Sequence, residues 1–243
     1  PNSEHPPIGA RLLFDFGPSN VDDGQHVEGP DPFGSLWNNW LALVGLSSST
    51  QSPEIAGQVF AGEHVGNLVT TAGAHTGIDL AITGGFFADG KQSGGLLNPS
   101  PALLGHFAVA PATMDFFYGT DQTTPAGLMV KGLRPELEYD FRFFGSRAVF
   151  EPLTTVYGVL GYGPEASDSV QVSGLGIGGG GTYNGNDDTV AVVLRVQPDS
   201  FGQVFVDFHG APGEGTPSTV NLMEIRVRPP RPDAYPGGPT QHP

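Results

Sequence analysis

The stretch 138–144 constrains the fold more than any other part of the chain. Tyr139, Phe141 and Phe143 alternate there with Asp and Arg side chains, and a period of two is what a strand needs when one face lies on a hydrophobic core. A turn comes before it, because Pro135 fixes its own φ angle and disfavours helix at the preceding residue. The pattern predicts an aromatic strand in the middle of a β-sandwich.

The rest of the chain favours the same fold class. Gly and Pro are abundant, with 37 and 23 among 243 residues, and short apolar runs are separated by turn-forming residues. No alternation of strands and helices is present, so a parallel α/β sheet is not expected. We predict an extended lead-in over 1–10, one antiparallel β-sandwich with long Gly/Pro-rich loops over 11–228, and a Pro-rich tail or linker over 229–243.

Apolar runs place the individual strands. The predicted strands are 12–16, 66–71, 78–83, 105–109, 114–118, 128–133, 138–144, 154–160, 169–173, 189–196, 203–208 and 220–227. The strands on either side of 198–202 should form a hairpin. The secondary structure of segment 35–44 stays open, since Trp37 and Trp40 fit helical spacing but the stretch is equally compatible with a broken strand.

Charge and cysteine content restrict the partners. A formal charge of −15 with two lysines opposes binding to the phosphate backbone of nucleic acids. Cysteine is absent, which excludes disulfides, thiolate metal sites and cysteine nucleophiles. No apolar run is long enough to span a membrane and no signal peptide is visible. Because the chain begins at Pro1, we expect a processed or trimmed form of an exported protein.

Three segments resemble one family. The run Gly-Leu-x-Pro-x-x-x-Tyr-x-Phe-Arg-Phe-Phe at 132–144 resembles the central strand of secreted galactose-binding-like and malectin-like modules, and segments 11–17 and 220–227 resemble their opening and closing strands. The resemblance implies a jelly roll, a secreted, extracellular or cell-surface location, and the function of a carbohydrate-binding module. It implies the fold more directly than the ligand, because this architecture carries many activities.

Motifs of common enzyme classes are scarce. Gly174–Gly179 matches Gly-x-Gly-x-x-Gly, but a strand rather than a helix is predicted after it, and a dinucleotide site needs the helix. The sequence contains neither Gly-x-Ser-x-Gly nor His-Glu-x-x-His. Carboxylates are numerous, so a catalytic pair stays open and a polysaccharide hydrolase or lyase is a third functional alternative.

One loop has the composition of a sugar-binding site. Tyr183 offers a ring to the apolar face of a pyranose, and the neighbouring polar side chains offer hydrogen bonds to its hydroxyls. These polar candidates are Asn184, Asn186 and Asp187. The alternative is that the Asn-Gly step in this loop marks only the tip of a hairpin.

A second group of candidates pairs indoles with amides. Its members are Trp37, Asn38, Asn39 and Trp40. The alternative for both tryptophans is core packing, since large aromatic residues dominate cores. Arg147 and Tyr162 are further ligand-binding candidates, and the alternative for Arg147 is an ion pair with an acidic neighbour.

Two acidic loops offer oxygens to a hard cation such as Ca²⁺. Asp22 and Asp23 lie in the first loop, and Asp187 and Asp188 lie in the second. The family resemblance also implies a structural Ca²⁺ ion, whereas the alternative is a pair of solvated acidic turns. No organic cofactor is expected.

The leading hypothesis is a non-catalytic extracellular module that binds a polysaccharide or glycan. The alternative is a self-assembling extracellular structural subunit of filament or surface-layer type. In that alternative the Pro-bearing termini dock on neighbouring copies by strand addition, which gives a homo-oligomer or polymer.

Overall fold

A computed structural model describes residues 5–42, 57–120, 125–214 and 217–230. The chain is mostly β, with 42% strand and 8% helix. In the described residues the strands are β1 (Arg11–Pro18), β2 (Asn38–Ala42), β3 (Gly57–Val59), β4 (His64–Val65), β5 (Asp79–Gly84), β6 (Phe86–Asp89), β7 (Phe116–Gly119), β8 (Ala126–Lys131), β9 (Glu138–Phe144), β10 (Leu153–Leu160), β11 (Ala166–Ser173), β12 (Ala191–Val196), β13 (Val204–Gly210), β14 (Ser218–Val220) and β15 (Leu222–Arg228). The helices are α1 (Pro101–Leu104) and α2 (Ala110–Thr113), with 3₁₀ turns at Lys91–Ser93, Gly105–Phe107 and Gly179–Gly181.

The strands of the described residues form three sheets. The five-stranded sheet has the order β12-β9-β15-β1-β2, the six-stranded sheet has the order β11-β10-β13-β8-β5-β4, and the four-stranded sheet has the order β14-β7-β6-β3. β1 and β2 are parallel, and the other described strand pairs are antiparallel. The all-β prediction is confirmed in this coarse form, with a sandwich-like arrangement, while the jelly-roll topology stays a prediction.

The main core is built from side chains of all three sheets. Tyr139, Phe141 and Phe143 of β9 are almost completely buried in it, as their alternation predicted. The Phe143 ring stacks on Tyr157 of β10 at 4.8 Å and meets Phe208 of β13 edge-on at 5.9 Å. Aromatic pairs in these geometries add about 0.5–1.5 kcal/mol each to the free energy of unfolding.

A second apolar cluster covers one end of the opposite face of the five-stranded sheet. Leu13 and Phe144 point outward from β1 and β9, and Trp37, Phe107 and Leu96 pack on them from loops and turns. The remainder of that face carries charged side chains. Sheet alternation therefore divides the outward face into an apolar end and a charged end.

Several predicted elements differ in the structure. Residues 105–109 contain a 3₁₀ turn instead of a strand, because they lie between two helices that each begin with a proline in their first turn, a position proline favours. Segment 66–71 contributes only an isolated bridge at Val69. The predicted hairpin around 198–202 is wrong, because β12 pairs with β9 whereas β13 pairs with β10 and β8, so the chain crosses between sheets there.

The ambiguous segment 35–44 forms strand β2 over Asn38–Ala42, and its last two residues lie outside the described ranges. The aromatic strand β9 is second in its sheet, and β15 is the central strand. Residues 1–4 of the predicted lead-in and 231–243 of the predicted tail also lie outside the described residues. Among the helices that the structure describes, none is long and apolar enough to cross a membrane.

Candidate ligand-binding face

Charged residues occupy the outward positions at one end of the five-stranded sheet. Their neighbours in sequence point into the core, so alternation turns these side chains toward the opposite face. We call this surface the arginine face, and its members are Arg11, Arg142, Arg195, Arg226, Arg228, Glu138, Asp140, Glu224 and His106. Strand register aligns them in rows, with Arg142 opposite Glu224, Arg226 between Asp140 and Arg11, and Arg228 opposite Glu138.

Glu224 is the buried acidic centre of the face. Its side chain is 1% exposed and accepts hydrogen bonds from His106 Nε2 at 2.7 Å and Arg11 Nη1 at 3.3 Å, while Arg142 Nε forms a looser ion pair at 3.9 Å. Burial alone would raise the pKa of Glu224, but the hydrogen bond from His106 and the surrounding cationic side chains lower it overall. Glu224 is therefore ionised at neutral pH, and it orients the cationic groups above it.

Two further carboxylates anchor arginines in the same way. Asp140 accepts a hydrogen bond from Arg228 Nε at 2.5 Å and another from the Arg195 backbone amide at 3.1 Å. Glu138 accepts one from Arg195 Nη1 at 2.6 Å. The carboxylate side chains are 1% and 6% exposed, whereas those of Arg228 and Arg195 are 34% and 48% exposed. The cations therefore form the outer layer, which is the layer that a ligand would meet.

Arg226 differs from the other arginines of this face because it has no ion pair among the described residues. It lies directly opposite Arg11 on the neighbouring strand, and like charges in directly opposite positions destabilise a sheet. It forms no ion pair within the described ranges, and its buried Nε has no hydrogen-bond partner there. The face carries five of the ten Lys and Arg residues of a chain with a formal charge of −15, so positive charge is concentrated here.

The arginine face continues into a cleft of about 280 Å³. Glu138 and Arg195 belong to both, and Leu194 and Tyr162 form other parts of the cleft wall. Tyr162 is 75% exposed, and its backbone amide donates to the Gln197 carbonyl at 2.7 Å. The predicted binding residue Tyr162 thus presents a ring next to the charged surface.

The predicted sugar-binding loop uses its polar atoms internally. The Asn184 side chain accepts a hydrogen bond from the Gly176 amide at 2.9 Å, and the Asp187 carboxylate accepts the Gly179 amide at 2.8 and 2.9 Å. Asn186 is 3% exposed and donates to the Gly145 carbonyl at 3.0 Å. These contacts hold the loop in place, and a role of the three side chains in binding stays a prediction.

Tyr183 is half-buried rather than presented to solvent. Its hydroxyl group is 3.0 Å from Ser146 Oγ and donates to the Gly94 carbonyl at 3.1 Å. Burial raises the pKa of Tyr183 to about 12, so the hydroxyl stays protonated at physiological pH. Tyr183 therefore connects its loop to two other segments of the chain.

The paired indoles and amides also lie mainly inside the fold. Trp37 is 6% exposed and donates from Nε1 to Asp31 at 2.8 Å, and Trp40 is 8% exposed in the main core. The amide nitrogens of Asn38 and Asn39 donate to backbone carbonyls at 2.9–3.0 Å. Core packing, which the sequence left as the alternative for both tryptophans, is observed.

Among the described residues Arg147 has no acidic partner of the kind that the sequence offered as an alternative. Its guanidinium lies over the Phe116 and Tyr118 rings, 5.6 and 5.2 Å from their centroids, and it forms no ion pair within the part of the chain that the structure describes. It also borders a separate cleft of about 500 Å³ beside Glu151 and Glu214. A ligand-binding role for Arg147 stays a prediction.

The predicted metal ligands lie at two places. Asp22 is exposed, whereas Asp23 is buried and accepts a hydrogen bond from the Gln92 amide at 2.8 Å. Asp187 is engaged with its own loop, and the exposed Asp188 accepts the Thr189 hydroxyl at 2.7 Å. Across 5–42, 57–120, 125–214 and 217–230, no group of three or more His, Cys, Asp or Glu side chains is arranged to hold a metal ion. The calcium prediction for these loops stays untested.

The chemistry of the arginine face is that of anion recognition. Guanidinium groups present several donors in a plane and match the geometry of carboxylates and similar oxyanions.

No family model, curated protein or solved structure matches this chain.

Proposed function

We propose that the chain is a non-catalytic carbohydrate-binding module of jelly-roll type whose ligand is a polysaccharide bearing carboxylate or sulfate groups. The observation that supports this best is the pair Arg11 and Arg226, which are opposite one another on neighbouring strands. An anionic group placed across both guanidinium groups would add to the partial compensation that Glu224 gives Arg11 and that Asp140, opposite Arg226 on β9, gives Arg226.

A flat sheet face suits an extended polymer. Side chains that point the same way recur about 7 Å apart along a strand and about 5 Å apart between strands, so Arg226, Arg228 and Arg11 form a regular array of donors. Tyr162, at the edge of the adjoining cleft, supplies the apolar platform that a sugar ring requires. Charge and stacking together would distinguish an acidic polysaccharide from a simple polyanion.

The acidic remainder of the surface does not prevent such binding. Charges are screened over about 8 Å at physiological ionic strength, so a ligand on the arginine face responds mainly to the groups it touches. Buried Asp140 and Glu224 are already paired with cations, and the exposed guanidinium groups dominate the contact layer.

The test compares immobilised polygalacturonate, dextran sulfate and neutral dextran by biolayer interferometry at 150 mM salt. Arg226→Gln removes one donor group, and a charge-assisted hydrogen bond contributes about 1.5–3 kcal/mol, so we expect at least a tenfold loss of affinity for the charged polymers. The matched control is Lys131→Gln, which changes the net charge equally at the end of β8 in the other main sheet.

Both the comparison of polymers and the comparison of variants have an outcome that contradicts the proposal. Equal binding to dextran and to the charged polymers would exclude charge recognition, and equal losses for the two variants would move the site away from the arginine face. Tyr162→Ala should weaken binding to polygalacturonate, and an unchanged affinity would reduce the module to a polyanion binder. Salt-sensitive oligomers that Arg226→Gln disperses would instead assign the face to contacts between copies.

A further inference from the structure

Two buried carboxylates lie beneath the other end of the same sheet face. Asp15 of β1 is 1% exposed, and Asp115, immediately before β7, is 0% exposed. The Val27 amide donates to Asp15 Oδ2 at 2.9 Å, and the Gln25 amide donates to Asp115 Oδ2 at 3.1 Å. The two donors are separated by one residue, so a single loop segment holds both carboxylates close together.

The remaining oxygens of this group have no partner in the described part of the chain. Asp15 Oδ1 and Asp115 Oδ1 are buried, and neither accepts a hydrogen bond from any described residue. Asn39, which is opposite Asp15 on β2, donates from its amide nitrogen to the Val27 carbonyl at 3.0 Å, yet its buried Oδ1 is also unpartnered. Three buried acceptor oxygens around the segment 25–27 thus have no hydrogen-bond donor among the described residues.

No cationic side chain among the described residues forms an ion pair with Asp15 or Asp115. Backbone amides bind one oxygen of each carboxylate, and the buried second oxygen of each has no partner among the described residues. A bound cation would give these oxygens the partner that the described side chains do not supply.

Glycine at two positions makes space for the Asp115 carboxylate. A Cβ atom at Gly17 would lie 2.2 Å from Asp115 Oδ2, and one at Gly24 would lie 2.4 Å from it. The carboxylate is therefore inserted between β1 and the loop that follows it, instead of extending into solvent. Such placement is expected of a group that ties this loop to the sheet.

We propose that Asp15, Asp115 and Asn39 bind a calcium ion that fastens the loop 20–27 to β1 and to the start of β7. The atoms available to coordinate a metal ion are all oxygens, which hard cations select. Ca²⁺ also tolerates irregular coordination that Mg²⁺ does not. Backbone carbonyls and water would complete the coordination sphere. The proposed ligands are not the four acidic residues that the sequence suggested, although the loop that the ion fastens contains Asp22 and Asp23.

Thermal unfolding of metal-stripped protein tests the site. At a free Ca²⁺ concentration one hundred times Kd, the melting temperature should rise by about 5–10 °C, and the same concentration of Mg²⁺ should give a clearly smaller rise. Asp115→Asn should abolish the calcium shift. The matched control Asp22→Asn alters an exposed acid of the same loop and should keep the shift.

The possible results separate calcium from its alternatives. The absence of a calcium shift in the wild type would overturn the proposal, as would a shift lost in Asp22→Asn but kept in Asp115→Asn. If Asp115→Asn does not fold, calorimetric titration of the wild type decides, because failure to bind Ca²⁺ refutes the site directly. A polysaccharide-binding defect leaves this result unaffected, since the readout is stability.

Discussion

Glu224→Gln should lower stability and raise affinity for anionic ligands at the same time. The substitution keeps the shape of the side chain but removes the charge that pairs with Arg11, Arg142 and His106. Breaking a fully buried ion pair costs about 3–5 kcal/mol. Arg11 and His106 are 30% and 29% exposed, so water stabilises them in part and we expect a loss of about 1–2 kcal/mol.

Urea unfolding measures the loss. With a slope of about 2 kcal/mol per molar, the midpoint should fall by roughly 0.5–1 M relative to the wild type. The pKa of Glu224 is lower in the folded state than its ordinary value of 4.5, so its contribution is complete above that value and disappears as the pH falls through the folded pKa. The difference between the two proteins should therefore shrink as the pH falls below about 4.

The same variant weakens the bonds that hold two donors of the arginine face, Arg11 Nη1 and His106 Nε2. Affinity for polygalacturonate should increase because the ligand no longer competes with an internal carboxylate. Glu28→Gln is the matched control, since Glu28 is 85% exposed and forms only a 3.6 Å contact with His26. A parallel decrease in stability and binding, or a stability difference that persists unchanged at pH 3, would refute the reasoning.

Two further substitutions test the contacts of buried tyrosines. Tyr183→Phe removes a hydroxyl that donates to the Gly94 carbonyl, so thermal scans should show a melting temperature about 2–4 °C lower. Polysaccharide affinity should be unchanged, and a large loss of affinity would show that Tyr183 contacts the ligand. Tyr157→Phe leaves the Thr219 carbonyl without its 2.8 Å donor inside the core, so urea unfolding should show a loss of about 1–3 kcal/mol, and a neutral result would mean that another donor replaces the hydroxyl.

The inward-facing half of the fold could be predicted from the sequence. Alternation at 138–144 correctly placed Tyr139, Phe141 and Phe143 in the core, because one strand carries enough information to fix its own parity. The sequence did not correctly predict which strands pair with each other. β12 and β13 both alternate correctly, yet they belong to different sheets, since a turn signal at 198–202 does not specify the direction in which the chain leaves it.

The outward-facing half shows a signal that sequence reasoning did not use. Glu138, Asp140 and Arg142 share one parity, as do Glu224 and Arg226, so both strands carry a charged stripe on the same face. Nothing local indicates that the two stripes are adjacent, because register between distant strands is set by the whole sheet. At the polar loop 181–188 the hydrogen-bonding capacity was recognised, but the sequence did not show that backbone amides of Gly176 and Gly179 use part of it; the role of this loop in binding stays a prediction.

The two proposed sites share a strand but should act independently. Arg11 and Asp15 lie on the same face of β1, about 13 Å apart at 3.3 Å per residue. That separation exceeds the screening length of about 8 Å at physiological ionic strength, so a calcium ion at Asp15 adds little potential at the arginine face. Calcium should therefore change stability without changing affinity through charge. Any calcium-dependent affinity would have to pass through packing, and the second apolar cluster is the physical route, because it joins Val27 beside Asp15 to Phe107, the neighbour of His106.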